Sequence, residues 1–210
     1  MNEKQILFNT PMVRAILEGR KTQTRRIIRP HYHDGDAGFN VVTNAATGQF
    51  CYIEYYDEEE RSTGRRLDPA YRPGDTLWVR ETFGYDCYAA WNKRVYYKAD
   101  YPDGKCQYVV RPGYKSGWLP SIHMPKEAAR IFLRVEDVRA EKLQRIDKEG
   151  IEAEGIILHH TQETARQAFA GLWDSTIAPE KLATEGWAAN PWVWVYTFQR
   201  VEKPEGWGAA

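Results

Sequence analysis

The sequence predicts an α+β, β-rich protein built on a small, partly closed antiparallel β-barrel with decorating helices. Three observations favour this class. Short stretches in which apolar and polar residues alternate recur along the chain, as expected of strands. The helical patterns are few, and they interrupt the strands without forming βαβ units. Aromatic residues make up 13% of the 210 residues, and large rings are well suited to the core of a β-rich fold.

The first predicted elements are a strand, a helix and a second strand. Residues 5–9 and 22–29 are both strand-prone. Between them, Thr10 followed by Pro11 is typical of a helix N-cap and first turn. Apolar residues at helical spacing follow, and Gly19 is predicted to end the helix just beyond its C-cap.

Two polar, glycine-rich segments, at about residues 31–70 and 84–120, interrupt the pattern. The first is predicted to contain a hairpin near residues 39–56, and the second a short strand at 94–98. Both are interpreted as insertions into a single domain that spans residues 1–210.

The second half of the chain returns to regular patterns. Residues 72–75, Arg-Pro-Gly-Asp, form a predicted turn, because Pro presets φ and Gly permits the reversal. The later elements are a strand at 76–83, a strand at 131–138, a helix at 147–152, a helix from about Thr161, a loop at 174–191 and a strand at 191–201. The last strand is apolar on both faces, which favours a central or barrel-lining position.

The charges are balanced overall but segregated along the chain. The 29 Lys and Arg residues equal the 29 Asp and Glu residues, which argues against a protein that coats long nucleic acid. Between Arg14 and Arg29, however, five arginines and one lysine are opposed only by Glu18, a net charge of +5. A local basic pocket is therefore predicted.

The cysteines and the apolar runs indicate the compartment. Cys51, Cys87 and Cys106 are widely spaced and provide neither a CxxC pair nor a disulfide framework. No apolar run approaches the ~20 residues of a membrane span. Residues 1–4 lack the apolar region of a signal peptide. We therefore expect a cytoplasmic protein with reduced thiols and no membrane partner.

Two histidine pairs raise the question of a metal site. His31 and His33 form one pair, and His159 and His160 form the other. A zinc site needs three or four convergent ligands, and no Cys or carboxylate lies at suitable spacing beside either pair. We therefore expect no metal and no cofactor.

The segment most informative for chemistry is residues 19–26, Gly-Arg-Lys-Thr-Gln-Thr-Arg-Arg. Like charge from the flanking arginines disfavours the ammonium form of Lys21, so we expect its pKa to fall. A neutral amine beside a hydroxyl can act as a general base, and Thr24 supplies a hydroxyl three residues on. In a regular strand the two side chains would face opposite ways, so this interpretation requires a bend after Gly19. The alternative is a solvent-facing basic strand.

This segment resembles the signature of the ASCH superfamily, whose fold is similar to the PUA RNA-binding barrel. The end of the chain is similar to longer ASCH proteins that phages and prophages often carry. The resemblance leaves the two insertions poorly matched and covers five segments: residues 16–26, 72–81, 135–156, 173–175 and 190–195.

The resemblance also implies an activity. Small bacterial ASCH members are amidohydrolases that remove the acetyl group from N4-acetylcytidine with a Lys, a Thr three residues later and a Glu beyond the long strand. Lys21 and Thr24 match the first two positions. The third aligns best with Glu154, with Glu152 as the near alternative and Glu81 as a rival. In the implied mechanism Thr24 attacks the acetamide carbonyl, Lys21 takes its proton, and Glu154 orients or protonates.

Further residues are candidates for contacting the substrate, a modified nucleoside or RNA. They are Arg20, Arg25, Arg26, Trp78, Arg80, Glu81 and Trp118. Arg25 and Arg26 suit an oxyanion, and the two tryptophans suit base stacking, although rings more often serve core packing. Two other functions use the same basic pocket: a non-catalytic RNA- or nucleotide-binding module, and a metal-independent ribonuclease.

Overall fold

The computed structural model of the protein describes residues 3–30, 35–43, 50–86, 94–109, 117–157 and 162–207. Within these ranges the fold is mixed α+β and β-rich, with ten strands and four α-helices. The strands of these ranges do not close into a barrel. The predicted class is therefore confirmed at the level of a β-rich α+β fold.

The elements follow the chain in regular succession. The strands are β1 (Glu3–Leu7), β2 (Gln23–Ile27), β3 (Gly38–Thr43), β4 (Phe50–Tyr56), β5 (Ser62–Leu67), β6 (Thr76–Arg80), β7 (Phe83–Tyr85), β8 (Val95–Tyr97), β9 (Phe132–Lys142) and β10 (Trp192–Val201). The helices are α1 (Thr10–Leu17), α2 (Lys148–Ala153), α3 (Gln162–Ser175) and α4 (Leu182–Glu185). Single 3₁₀ turns lie at Lys98–Asp100, Ser121–His123, Lys126–Ala128, Leu143–Arg145, Pro179–Lys181 and Trp187–Ala189.

The strands form three sheets, with orders β1-β6-β9-β10-β2, β3-β4-β5 and β7-β8. β6 pairs with β9, and β10 with β2, in antiparallel register. β1, in contrast, pairs with β6 in parallel, with Lys4 opposite Leu77. This pair corrects the expectation of a wholly antiparallel sheet. A parallel pair needs a long crossover connection, and residues 8–75 provide one.

The chain is divided into two compact units. Unit 1 comprises Met1–Thr22, Gly74–Arg134 and Phe198–Ala210, and unit 2 comprises Gln23–Pro73 and Val135–Thr197. The strands β9 and β10 each contribute residues to both units.

The core of unit 1 combines alternating strand residues with packed rings. Leu77 and Val79 of β6 are fully buried, as alternation along that strand predicts. The ring of Trp207 packs edge-on against Phe132, with centroids 4.7 Å apart, and lies 6.2 Å from Trp78. These rings bury a large apolar area in a small unit.

The core of unit 2 lies between β10 and the helices α2 and α3. Val193 and Val195 of β10 belong to one buried cluster with Ile151 of α2 and Phe169 of α3. The alternate residues of the strand, such as Trp194, are buried as well. The prediction of a central position is confirmed, because β10 lies between β9 and β2 in its sheet, while the barrel-lining alternative is not, since the described strands do not close into a barrel.

Local capping explains where the first two helices begin. The side chain of Asn9 accepts a hydrogen bond from the amide of Met12 at 3.0 Å, so Asn9 and not Thr10 is the N-cap of α1. The prediction erred by one residue because Asn and Thr both cap well and Pro suits either position that follows. Asp147, at the start of the helix predicted at 147–152, caps α2 and accepts from the amide of Gly150 at 2.8 Å.

The region predicted as a loop at 174–191 is instead largely helical, with α4 between two 3₁₀ turns. Tertiary packing stabilises these short helical turns, because Trp187 lies edge-on to Phe169 with ring centroids 5.8 Å apart. In the predicted insertions, the strands β3 and β4 confirm the hairpin at 39–56, and β8 confirms the strand at 94–98.

Gly19 ends α1 in the left-handed conformation, with φ +75°. The amides of Gly19 and Arg20 donate back to the carbonyls of Ile16 and Ala15, at 3.0 and 2.9 Å. This pattern satisfies carbonyls at the end of the helix and favours Gly, which has no Cβ to crowd the backbone. The predicted helix end is confirmed.

We expect Gly19→Ala to lower the free energy of unfolding by about 1 kcal/mol, because the cost lies in the backbone conformation. An added Cβ would meet no atom within 4 Å. Gly171 in α3 is a matched control, since its added Cβ also meets nothing but its φ is not positive. Gly171→Ala should raise stability by about 0.5–1 kcal/mol. Urea unfolding measures both, and changes of the same sign would contradict the assignment.

Candidate functional site

Lys21 is a buried residue of unit 1, with only 2% of its surface exposed. Its backbone amide donates to the carbonyl of Ala15 at 3.0 Å. Its ammonium nitrogen lies 5.6 Å from the centroid of the Phe8 ring, whose face attracts a cation. A buried ammonium is costly unless its surroundings compensate it, so this position is not that of an ordinary surface lysine. The alternative of a solvent-facing strand does not hold for Lys21.

The regular strand begins after Lys21. β2 starts at Gln23, and the left-handed Gly19 turns the chain between α1 and this strand. The alternation that would direct Lys21 and Thr24 to opposite faces therefore applies only from Gln23 onward.

Thr24 is a buried residue of unit 2, with 2% of its surface exposed. It lies directly opposite Tyr196 of β10, and its neighbour Arg25 lies opposite Val195. Directly opposed residues of an antiparallel pair share one face of the sheet, and successive residues alternate. Thr24 therefore shares a face with Tyr196, and Arg25 faces the side of Val195.

Arg25 forms a buried ion-pair cluster with two carboxylates of unit 2. Its Nη1 lies 3.1 Å from Glu154 Oε1, and its Nη2 lies 3.0 Å from Glu141 Oε1. The side chain of Arg25 is only 1% exposed. Arginine suits this position because its planar guanidinium can serve two carboxylates at once. Sequence reasoning treated Arg25 as a contact for the substrate, whereas its donors here hold protein carboxylates.

The structure distinguishes Glu154 from Glu152, the near alternative. Glu154 is 7% exposed and forms the C-cap of α2, followed by Gly155 with φ +91°. Glu152 has a side chain that is 52% exposed, and its carboxylate lies 4.0 Å from the ammonium of Lys148. A short helix capped at both ends, together with Arg25, therefore fixes the position of Glu154.

The other two arginines of the segment have different surroundings. Arg26 is half-buried and shares the face of Thr24, because the two residues are separated by one strand period. Its charge acts to lower the pKa of Tyr71, although burial of the Tyr71 phenol outweighs it and raises that pKa. Arg20 instead pairs with Glu18, with Nε 2.8 Å from Oε2.

Glu81, the rival carboxylate, forms a structural ion pair within unit 1. It is 1% exposed and receives two bonds from Arg130, at 2.8 and 3.0 Å. Arg130 also pairs with Asp100 at 2.8 Å and lies 3.9 Å from the centroid of the Tyr97 ring. Burial raises the pKa of Glu81, and the bonds from Arg130 oppose that rise.

The remaining candidates for substrate contact take part in packing within unit 1. Trp118 is half-buried and donates from Nε1 to the carbonyl of Gly104 at 2.7 Å. The guanidinium of Arg80 lies 5.6 Å from the centroid of the Trp78 ring and donates to the carbonyl of Ser121 at 3.1 Å. These are contacts within the protein, and the roles of the three side chains toward a substrate stay predictions.

Sequence reasoning missed two residues beside the segment, Glu141 and Tyr196. Glu141 lies on the long strand β9, and nothing in the local pattern separates it from other charged strand residues. Tyr196 stands in an alternating aromatic strand, but its position opposite Thr24 depends on strand register, which the sequence alone does not reveal.

Some predictions fall on residues that the structure does not describe. The four histidines of the two pairs lie outside the described residues, as does Cys87. Cys106 is buried. None of the described helices combines the length and the apolar character that crossing a membrane requires.

Comparisons with known proteins found no matching family model, no similar curated protein and no similar solved structure. The function is therefore inferred from the residues and contacts of this chain, together with the sequence resemblance to the ASCH superfamily.

Proposed function

We propose that the protein is an ASCH-type amidohydrolase that removes the acetyl group from N4-acetylcytidine or a related modified nucleoside. Thr24 is the nucleophile, Lys21 is the general base, and Glu154 orients or protonates the reacting groups. The observation that carries this proposal is the 3.1 Å bond between Arg25 and Glu154, because it ties the carboxylate to the strand that bears Thr24.

The burial of these three polar residues supports the proposal. Lys21, Thr24 and Glu154 are 2%, 2% and 7% exposed. Lysine and glutamate are almost never fully buried unless they are paired, and buried ionisable groups concentrate at functional sites. Lys21 and Thr24 are three residues apart in the chain, and three residues span at most about 11 Å.

The position of β2 is compatible with roles for both Thr24 and Glu154. Although Arg25 and Thr24 point to opposite faces, β2 is an end strand in the order of its sheet. A group beside the end strand is not confined to one face, since no further strand follows it in that order. The proposal therefore requires Glu154, which Arg25 holds on the Val195 side, to reach round this end strand to a substrate bound at Thr24.

The chemistry follows the logic of a covalent acyl transfer. The Thr24 oxygen attacks the carbonyl carbon of the acetamide while Lys21 takes the hydroxyl proton. The C–N bond then breaks, the exocyclic amine of cytosine accepts the proton that Lys21 took, and the acetyl group remains as an ester on Thr24. Water hydrolyses this ester, which releases acetate and restores the hydroxyl.

A second candidate function, a non-catalytic nucleoside- or RNA-binding module, is favoured by the aromatic character of the Thr24 face. Tyr196 and Tyr71 lie there edge-to-face, with centroids 5.0 Å apart, and the charge of Arg26 acts on both phenols. Aromatic rings beside a cation suit a nucleobase and a phosphate without any reaction.

The test is an assay of acetate release. Purified wild-type protein is incubated with N4-acetylcytidine, other acylated nucleosides and Nε-acetyl-lysine, and the products are followed by mass spectrometry. We expect acetate and cytidine from N4-acetylcytidine and no product from Nε-acetyl-lysine. If none of the acylated nucleosides releases its carboxylic acid, the proposal is wrong. Nucleoside or RNA binding that weakens with salt would then favour the binding module.

A further inference from the structure

The strand register places a second hydroxyl-bearing side chain on the same face as the proposed nucleophile. Tyr196 on β10 lies directly opposite Thr24 on β2. In such a pair the two side chains share one face, with Cβ atoms about 4.5–5.5 Å apart. Both residues are buried, with 1% of Tyr196 and 2% of Thr24 exposed.

The hydroxyl of Tyr196 has unusual surroundings for a buried phenol. Among the described residues, no acceptor for its proton lies within hydrogen-bond distance. The backbone N–H groups of Ala70 and Tyr71 act on the phenol oxygen as donors. Donors thus approach the oxygen, while its proton remains available to an acceptor that these residues do not supply. Buried groups of this kind are rare, and catalytic sites are one place where they persist.

The phenol keeps its proton at neutral pH. Burial raises the pKa of Tyr196 above its ordinary value, and the neighbouring Tyr71 acts in the same direction. The amides of Ala70 and Tyr71 and the charge of Arg26 oppose this rise without reversing it. The group is therefore a hydrogen-bond donor and not a phenolate.

The ring that carries this donor is held in place. Tyr71 packs against it at an interplanar angle of 66°, with centroids 5.0 Å apart. Tyr71 itself is half-buried and lies just before the turn at 72–75. A donor fixed before the reaction begins stabilises developing charge without the cost of reorganisation.

We infer that Tyr196 is a further catalytic residue of the proposed deacetylation, donating a hydrogen bond to the acyl oxygen as it becomes an oxyanion. This inference rests on the proposed function. The tetrahedral intermediate formed when Thr24 adds to the carbonyl places a full charge on that oxygen. The bond from the Tyr196 hydroxyl strengthens as the charge forms, so its effect falls on kcat.

Tyr196→Phe tests the inference, because it removes the hydroxyl and keeps the ring. We expect kcat for N4-acetylcytidine to fall by about 10²–10³-fold, with KM changed less than about threefold. The melting temperature should fall only slightly, because the hydroxyl donates no bond to the described residues and only the amides of Ala70 and Tyr71 lose its oxygen. Tyr55→Phe is the matched control: Tyr55 is 2% exposed and lies in the three-stranded sheet of the same unit. It should keep full activity.

Replacement of Tyr196 by 3,5-difluorotyrosine provides a second test that keeps the hydroxyl and nearly the same volume. Fluorination lowers the pKa of the phenol, so the phenol loses its donor proton at lower pH than in the wild type. We therefore expect kcat to decline at lower pH in the fluorinated protein. An unchanged pH profile, or a Tyr196→Phe variant as active as Tyr55→Phe, would overturn the inference while leaving the proposed function intact. A wild-type protein inactive on every acylated nucleoside would instead overturn the proposed function itself, and the inference with it.

Discussion

Thr24→Ala should abolish acetate release from N4-acetylcytidine, with kcat reduced by about 10³-fold or more, while the nucleoside still binds. The reason is that the hydroxyl forms the covalent bond to the acyl group, so its loss removes the reaction path and not merely a contact. The substitution removes only a hydroxyl and a methyl group, so the rings and charges proposed to hold the nucleoside are kept. Isothermal titration of the variant with N4-acetylcytidine measures the retained binding.

Thr22→Ala is the matched control for this substitution. Thr22 lies two residues earlier in the same segment and is exposed, so the same chemical change should leave kcat within about twofold of wild type. The ribonuclease alternative makes the opposite prediction. It requires metal-independent RNA cleavage that is lost with Lys21→Ala but persists in Thr24→Ala. Retained acetate release by Thr24→Ala would exclude Thr24 as the nucleophile.

Arg130→Met should lower the free energy of unfolding by about 3–5 kcal/mol at neutral pH. The variant leaves the carboxylate of Glu81 buried without the two bonds that Arg130 donates, at 2.8 and 3.0 Å. Methionine keeps most of the apolar stem, so the loss reports on the charge and its hydrogen bonds. Urea unfolding of the variant and of wild type measures the difference.

The loss should be smaller in acid. Burial already raises the pKa of Glu81 above 4.5 while Arg130 opposes the rise, so without Arg130 the pKa rises further. A carboxyl whose pKa is raised in the folded state binds more protons folded than unfolded. Its contribution to stability is therefore greatest in acid and is lost as pH rises from 4.5 through the raised value. The difference between variant and wild type should thus be larger at about pH 7.5 than at about pH 5.

Arg61→Met serves as the control for both measurements. The Arg61 side chain is 71% exposed and pairs with Asp57 at the surface. Its removal should cost no more than about 1 kcal/mol at either pH. Equal losses from Arg130→Met at the two pH values would show that the buried carboxyl is not the source of the effect.

The elements of this fold that the sequence predicts are those with local causes. Gly19 marks the end of α1 because its left-handed conformation lets the following amides satisfy the last carbonyls, and Asp147 marks the start of α2 through its own side chain. The parallel pairing of β1 with β6 has no such local cause. Lys4 and Leu77 become partners only through packing across a long connection, and strand period says nothing about partner or direction.

The same distinction applies to the candidate site. Lys21 and Thr24 stand out in the sequence because a lysine, a threonine and several arginines share one short segment. The separate roles of Arg25 and Arg26 do not stand out in the sequence, because both are arginines in adjacent positions. Their difference arises when Glu141 and Glu154 approach one face of β2 and not the other.

The three-part composition of unit 1 has a consequence for how the chain acquires its structure. Residues 3–7 gain their backbone partners only when residues 76–80 have been synthesised, and Phe132 gains its ring neighbour only with Trp207. Contacts so distant in sequence require the closure of long loops, which slows folding. Nascent chains therefore carry an unpaired strand and exposed rings for much of their synthesis, a period in which self-association competes with correct folding.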